Sequence, residues 1–149
     1  MQEFNSLDEV LDFAISMERV SHQFYVELAQ RTDRPDVRDL FRALAREELL
    51  HAERLEAMKG RSERPMGDPW PAVPVGGYVA AASVEGMSYL EALKLAVDKE
   101  KGSFTFYRLL ASSMGEPTLK DLFGELARIE AEHRDVFQRH LDALRIGGN

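Results

Sequence analysis

Four stretches of the chain carry apolar residues at alternating four- and three-residue spacing, the period of one face of a packed helix. The first seam is Leu7, Leu11, Ala14, Glu18, Ser21, Tyr25 and Leu28, and the second Val37, Phe41, Leu44, Glu48, His51, Leu55 and Met58. The third is Tyr89, Leu93, Ala96, Glu100, Ser103, Tyr107 and Leu110, and the fourth Leu119, Phe123, Leu126, Glu130, His133, Phe137, His140 and Leu144. Local signals bound them. Ser6 with Glu9, and Ser88 with Glu91, are capping-box pairs, while Pro35 and Pro117 suit a first helical turn. Gly60 and the Gly147-Gly148 pair are stop signals. The pattern predicts helices over about residues 7–31, 35–59, 88–113 and 117–146.

Short turns, Thr32–Arg34 and Gly115-Glu116, join helices one to two and three to four, so each pair is an antiparallel hairpin. Residues 60–87 between the hairpins hold Pro65, Pro69, Pro71 and Pro74 and form no long helix. A helix of about 24 residues is roughly 36 Å long, a span this crossover can cover. Trp70, Tyr78 and the crossover valines are expected to cover apolar surface outside the bundle. The hairpins also repeat. Shifting Val10–Met58 by 82 positions lays it on Ala92–His140 without a gap, matching Glu18 to Glu100, Tyr25 to Tyr107, Pro35 to Pro117, Glu48 to Glu130 and His51 to His133. The reading is a single all-α domain over 1–149: an antiparallel four-helix bundle of ferritin-like type with one long crossover between helices two and three, built from a duplicated helical hairpin.

Each seam is interrupted near its middle by glutamate, and in helices two and four a histidine follows three residues later on the same face. Glu18 and Glu48 are equidistant from residue 33 in the first turn, and Glu100 and Glu130 from residue 115 in the second. All six polar residues therefore converge at one height. Four buried carboxylates neutralise or find cations, and no basic side chain shares the seams. Two divalent ions would balance them, with the imidazoles as neutral ligands. Oxygen and nitrogen donors suit iron, with manganese as the alternative.

Composition narrows the field further. Apolar residues make up 44% of 149, enough for a core, and the formal net charge of −7 argues against nucleic acid and anionic membrane as partners. Cysteine is absent, which excludes disulfides, thiol catalysis, Fe–S clusters and any Fe(Cys)4 centre within these residues. No apolar run approaches the length of a membrane span, and the N-terminus does not read as a signal peptide, so a cytoplasmic location is expected.

With Glu18, Glu48-x-x-His51, Glu100 and Glu130-x-x-His133 in place, the sequence resembles the ferritin-like superfamily, and within it the di-iron domain of the rubrerythrins without their rubredoxin domain. The resemblance covers nearly the whole chain apart from the crossover. It implies that Glu18 and Glu100 are terminal ligands, that Glu48 and Glu130 bridge, and that His51 and His133 each bind one of two iron ions. Many rubrerythrins carry an additional glutamate one turn from the helix-three ligand. Here the neighbouring turns offer Ala96, Val97, Ser103 and Phe104, nearer the six-ligand pattern of bacterioferritins.

Tyr25 and Tyr107, two turns beyond their glutamates, are candidates to hydrogen-bond a ligand carboxylate or to take part in electron transfer. His22 is expected to be a packing or surface histidine and His140 a solvated one or one that meets the helix C-terminal dipole. Glu27, Glu47 and Glu132 are expected to be solvated charges, with Glu132 alternatively supporting a ligand, and Arg46 and Arg128 surface ion-pair partners. The expected function is a di-iron carboxylate oxidoreductase using peroxide or O2, supplied by an external electron donor and acting as a homodimer. The alternatives are a ferroxidase that handles iron and a helical partner-binding bundle with a vestigial site. A storage cage is disfavoured because the chain leaves no room for a fifth helix after Leu141.

Overall fold

The computed structural model describes residues 4–60 and 81–147. Four helices follow in order: α1 (Leu7–Ala29), α2 (Pro35–Ala57), α3 (Tyr89–Ser113) and α4 (Pro117–Ile146). All are α-helical and the described residues include no strand, as the seams predict. The Ser6 and Ser88 hydroxyls accept the N–H groups of Glu9 and Glu91, each at 3.1 Å. The reciprocal arm differs from the simple capping box: Glu9 reaches the N–H of Asn5 at 2.6 Å, one residue further back.

Helices α1 and α2 end two residues earlier than the seam pattern suggests. The N–H groups of Gln30, Arg31, Met58 and Lys59 bond three residues back, to Glu27, Leu28, Leu55 and Glu56, and the tightened turn ends the α-helical ladder. Gly60 then adopts a φ of 75°, a conformation that favours glycine, and donates its N–H to Asp8 at 3.0 Å.

Helix α1 packs on α2 and α3 on α4, and the hairpins meet along α1 and α3. The core has three layers. One apolar layer, around Leu11, Phe106 and Phe123, fills the end where α1 begins, and another, around Phe24, Phe41 and Phe137, fills the end where α1 finishes. The layer between them contains the four seam glutamates with His51 and His133, all buried. The expected course of the crossover and the packing of Trp70 and Tyr78 lie outside the described residues. Its last valine, Val84, does join the core. Glu27, expected to be solvated, instead fastens this end of the crossover: it accepts from the Ser83 hydroxyl at 2.7 Å, while Arg31 donates to the carbonyls of Val84 and Met87. Among the described residues no helix is long and apolar enough to cross a membrane.

Candidate metal centre

The six residues singled out by the seams meet in two overlapping groups. Glu18, Glu48, His51 and Glu130 each offer a donor atom within 4.8 Å of the others, and so do Glu48, Glu100, Glu130 and His133. Glu48 and Glu130 belong to both. The Nδ1 atom of His51 lies 3.0 Å from Glu130 Oε1 and 3.7 Å from Glu18 Oε2. The Nδ1 atom of His133 lies 2.8 Å from Glu48 Oε1 and 3.7 Å from Glu100 Oε1. The two shorter contacts tie α2 to α4.

The tyrosines tie α1 to α3. Tyr25 donates its hydroxyl to Glu100 Oε1 at 2.7 Å, and Tyr107 donates to Glu18 Oε1 at 2.6 Å. Each tyrosine therefore holds the glutamate of the other hairpin. Adding 82 to one partner of a pair and subtracting it from the other turns each contact into its counterpart, as a twofold relation between the hairpins requires.

Electrostatics show why the cluster calls for cations. Burial, followed by repulsion from the other glutamates, raises the carboxyls of Glu48 and Glu130 well above the ordinary range. Burial pushes Glu100 the same way, but hydrogen bonds from Glu130, His133 and Tyr25 outweigh it and leave this carboxyl below its usual value. Burial also pushes the His133 imidazole down, yet Glu100 and Glu47 outweigh it and hold it above its ordinary value. The Oε2 atoms of Glu18, Glu100 and Glu130 are buried without a hydrogen-bond donor. Such orphaned carboxylate oxygens are costly in a metal-free core and are natural cation ligands. Together with two imidazole nitrogens they fit a pair of oxygen- and nitrogen-ligated divalent ions.

Two residues that touch this centre escape the seam pattern. Glu47, expected to be solvated, keeps 51% of its side chain exposed but reaches His133 Nε2 at 2.5 Å. Lys99 lies off the seam beside Glu100 and is nevertheless 3% exposed, its ammonium 5.0 Å from the Phe24 ring. Burial lowers it to about 8, against the opposing pull of Glu100 and Glu48. The core thus contains a basic group that the seams alone do not reveal. The only sequence signal for either residue is a break in the repeat: the counterparts of Glu47 and Lys99 are Ile129 and Met17.

The remaining candidates lie apart from the centre. His22 Nδ1 donates to the Ala45 carbonyl at 2.8 Å, tying α1 to α2 as a packing residue. His140 is half-buried, edge-on to Phe41, rather than solvated. Burial, then Arg34 and Arg139, lower its imidazole. Arg128 and Glu132 form the expected exposed ion pair at 2.7 Å.

An antiparallel helical bundle with one crossover and a carboxylate–histidine centre at mid-height is a ferritin-like protein. The comparisons with known proteins narrow this. The rubrerythrin family's sequence pattern matches residues 9–141, and the chain belongs to that family. A hypothetical protein from Pyrococcus furiosus shares the fold at a TM-score of 0.77 and 22% identity, over 93% of this chain and 90% of that one. An uncharacterised conserved protein from Magnetospirillum magnetotacticum MS-1 aligns with a TM-score of 0.65 and 27% identity, over 92% of this chain and 94% of that one. No curated protein matches significantly.

Proposed function

We propose that the chain is a non-haem di-iron carboxylate oxidoreductase of rubrerythrin type that reduces peroxide, with O2 as the second oxidant. The observation that carries this reading is the overlap of the two ligand groups on Glu48 and Glu130. It would give each ion one terminal glutamate, one histidine and a share of two common carboxylates. Glu18 and His51 would hold one ion, Glu100 and His133 the other, and Glu48 and Glu130 would bridge. Iron is the proposed metal and manganese the alternative.

When bound, two ferrous ions supply two electrons to an O–O bond, and each peroxide consumed takes two protons and gives two waters. The chain's own residues do the rest. Tyr25 and Tyr107 orient the terminal carboxylates through their hydroxyls, leaving the Oε2 atom of each free to bind an ion. The apolar layers above and below exclude bulk water. With no second redox group in the sequence, the electrons come from an external donor, and the working form proposed is a homodimer.

One observation favours the second reading, a ferroxidase that uses O2. The turns flanking Glu100 hold Ala96, Val97, Ser103 and Phe104, so no seventh carboxylate is supplied from α3. Anaerobic titration with Fe(II), followed by stopped-flow mixing with peroxide and separately with O2, tests both. Saturation near two ions per chain and faster oxidation by peroxide are expected. Saturation below one ion removes the dinuclear site, and faster oxidation by O2 moves the protein to the ferroxidase class. Size-exclusion chromatography checks the dimer.

A further inference from the structure

The repeat makes the two halves of the centre interchangeable with one exception among the groups on its histidines. His133 has a carboxylate at each ring nitrogen, Glu48 at Nδ1 (2.8 Å) and Glu47 at Nε2 (2.5 Å). His51 has Glu130 at Nδ1 (3.0 Å), and among the described residues no carboxylate meets its Nε2. The cause is one difference between the hairpins. The residue matching Glu47 is Ile129, which has no side-chain acceptor. Glu125, one turn away on α4, is taken by Arg54 at 3.0 Å.

An imidazole binds a metal through one unprotonated nitrogen and keeps its proton on the other. A carboxylate that accepts from that second nitrogen selects the tautomer, fixes the ring plane and makes the ligating nitrogen more basic. With Nδ1 turned into the centre, His133 has this support and His51 does not.

We infer that Glu47 is a positioning residue that makes the two metal positions unequal: the position of Glu100 and His133 binds its ion more tightly, and the position of Glu18 and His51 is the weaker, more exchangeable one. The inference rests on the dinuclear reading above. Loss of such a carboxylate typically costs about 10–100-fold in metal affinity. The six ligands repeat closely, so this contact and the buried Lys99, whose counterpart is Met17, distinguish the positions, and Glu47→Ala removes the first while leaving the second in place.

Anaerobic titration of the metal-free chain with Co(II), followed by its visible absorption, tests this in variants that retain one position each. In His51→Ala, which keeps the His133 position, adding Glu47→Ala should weaken Co(II) binding by about 10–100-fold. Glu47→Gln, whose amide oxygen can still accept from Nε2, should recover part of the loss. In His133→Ala, which keeps the His51 position, Glu47→Ala should leave affinity unchanged, whereas Ile129→Glu should tighten it. Glu47 is half exposed on a helix and alanine is a strong helix former, so the fold should survive; far-UV circular dichroism checks this. Equal losses in both backgrounds would mean a general charge effect and overturn the inference, as would no loss in His51→Ala. A wild-type chain that takes up no Co(II) overturns the dinuclear reading and this inference together. Two ions bound with no response to Glu47 overturns the inference alone.

Discussion

Replacing Tyr107 by phenylalanine isolates one hydrogen bond at the centre of the bundle. Both partners are fully buried, Tyr107 and Glu18 being 0% exposed, and the hydroxyl donates to Glu18 Oε1 at 2.6 Å. The other oxygen of Glu18 has no donor, so the substitution leaves the whole carboxyl group without one. Leaving a buried acceptor without its donor costs about 1–3 kcal/mol, and the doubly orphaned carboxyl places this one near the upper end. For a domain of this size each kcal/mol moves the melting temperature by about 2–4 °C. The metal-free Tyr107→Phe chain should therefore melt roughly 5–10 °C below wild type. The cost should shrink once a divalent ion binds the same carboxylate. Thermal denaturation followed at 222 nm, with and without metal, measures both. Repeating the substitution in a Glu18→Ala background should abolish most of its cost, because the acceptor is gone. A shift below about 1 °C in the metal-free protein, or an undiminished cost without Glu18, would refute the reasoning. Tyr25→Phe removes the symmetry counterpart, a 2.7 Å bond to Glu100, and should cost less, because Glu100 also accepts from Glu130 and His133.

Glu48→Ala and Glu130→Ala should each abolish oxidant-dependent iron oxidation while far-UV circular dichroism stays helical; wild-type turnover by either variant would remove the bridging assignment. Peroxide should oxidise the iron-loaded protein once and then stop until an external reductant is added, because the 149 residues contain no cysteine for a second redox centre; repeated turnover without a donor would contradict this. The folded metal-free chain binds more protons than the unfolded one at Glu48, Glu130 and His133, all raised. Its stability should therefore fall as pH rises from 4.5, the ordinary glutamate value, past 6.5, the ordinary histidine value. The lowered Glu100 acts in the opposite sense, but its contribution is lost as pH falls below 4.5, outside this window; the lowered His140 also opposes the fall, just below 6.5, as one half-buried group against three buried ones. Melting temperature against pH in the presence of a chelator reads the slope, and a rise across the window would contradict the assignment.

The helices and the six converging residues were legible in the chain because both depend on period. A glutamate that interrupts a heptad seam is carried into the interior by its neighbours, and turn-to-glutamate spacing sets its height. The repeat of 82 then placed Glu48-x-x-His51 opposite Glu130-x-x-His133 without knowledge of any contact. The tyrosines were on the right face, but their spacing could not say which glutamate each would reach. Tyr25 meets Glu100 and Tyr107 meets Glu18 because α1 and α3 lie antiparallel across the interface between hairpins, and no local signal encodes that pairing. Glu47 and Lys99 lay beyond the sequence for a related reason. Both sit one position off a seam, where the period assigns a residue to the flank of its helix. Whether a flank meets water, an imidazole or an aromatic ring depends on the neighbouring helix, here His133 of α4 for one and Phe24 of α1 for the other. Periodicity along one chain segment thus determined which residues face inward. The distances between segments, which only the packed bundle sets, decided which charges meet, and so where the two halves of the centre cease to be alike.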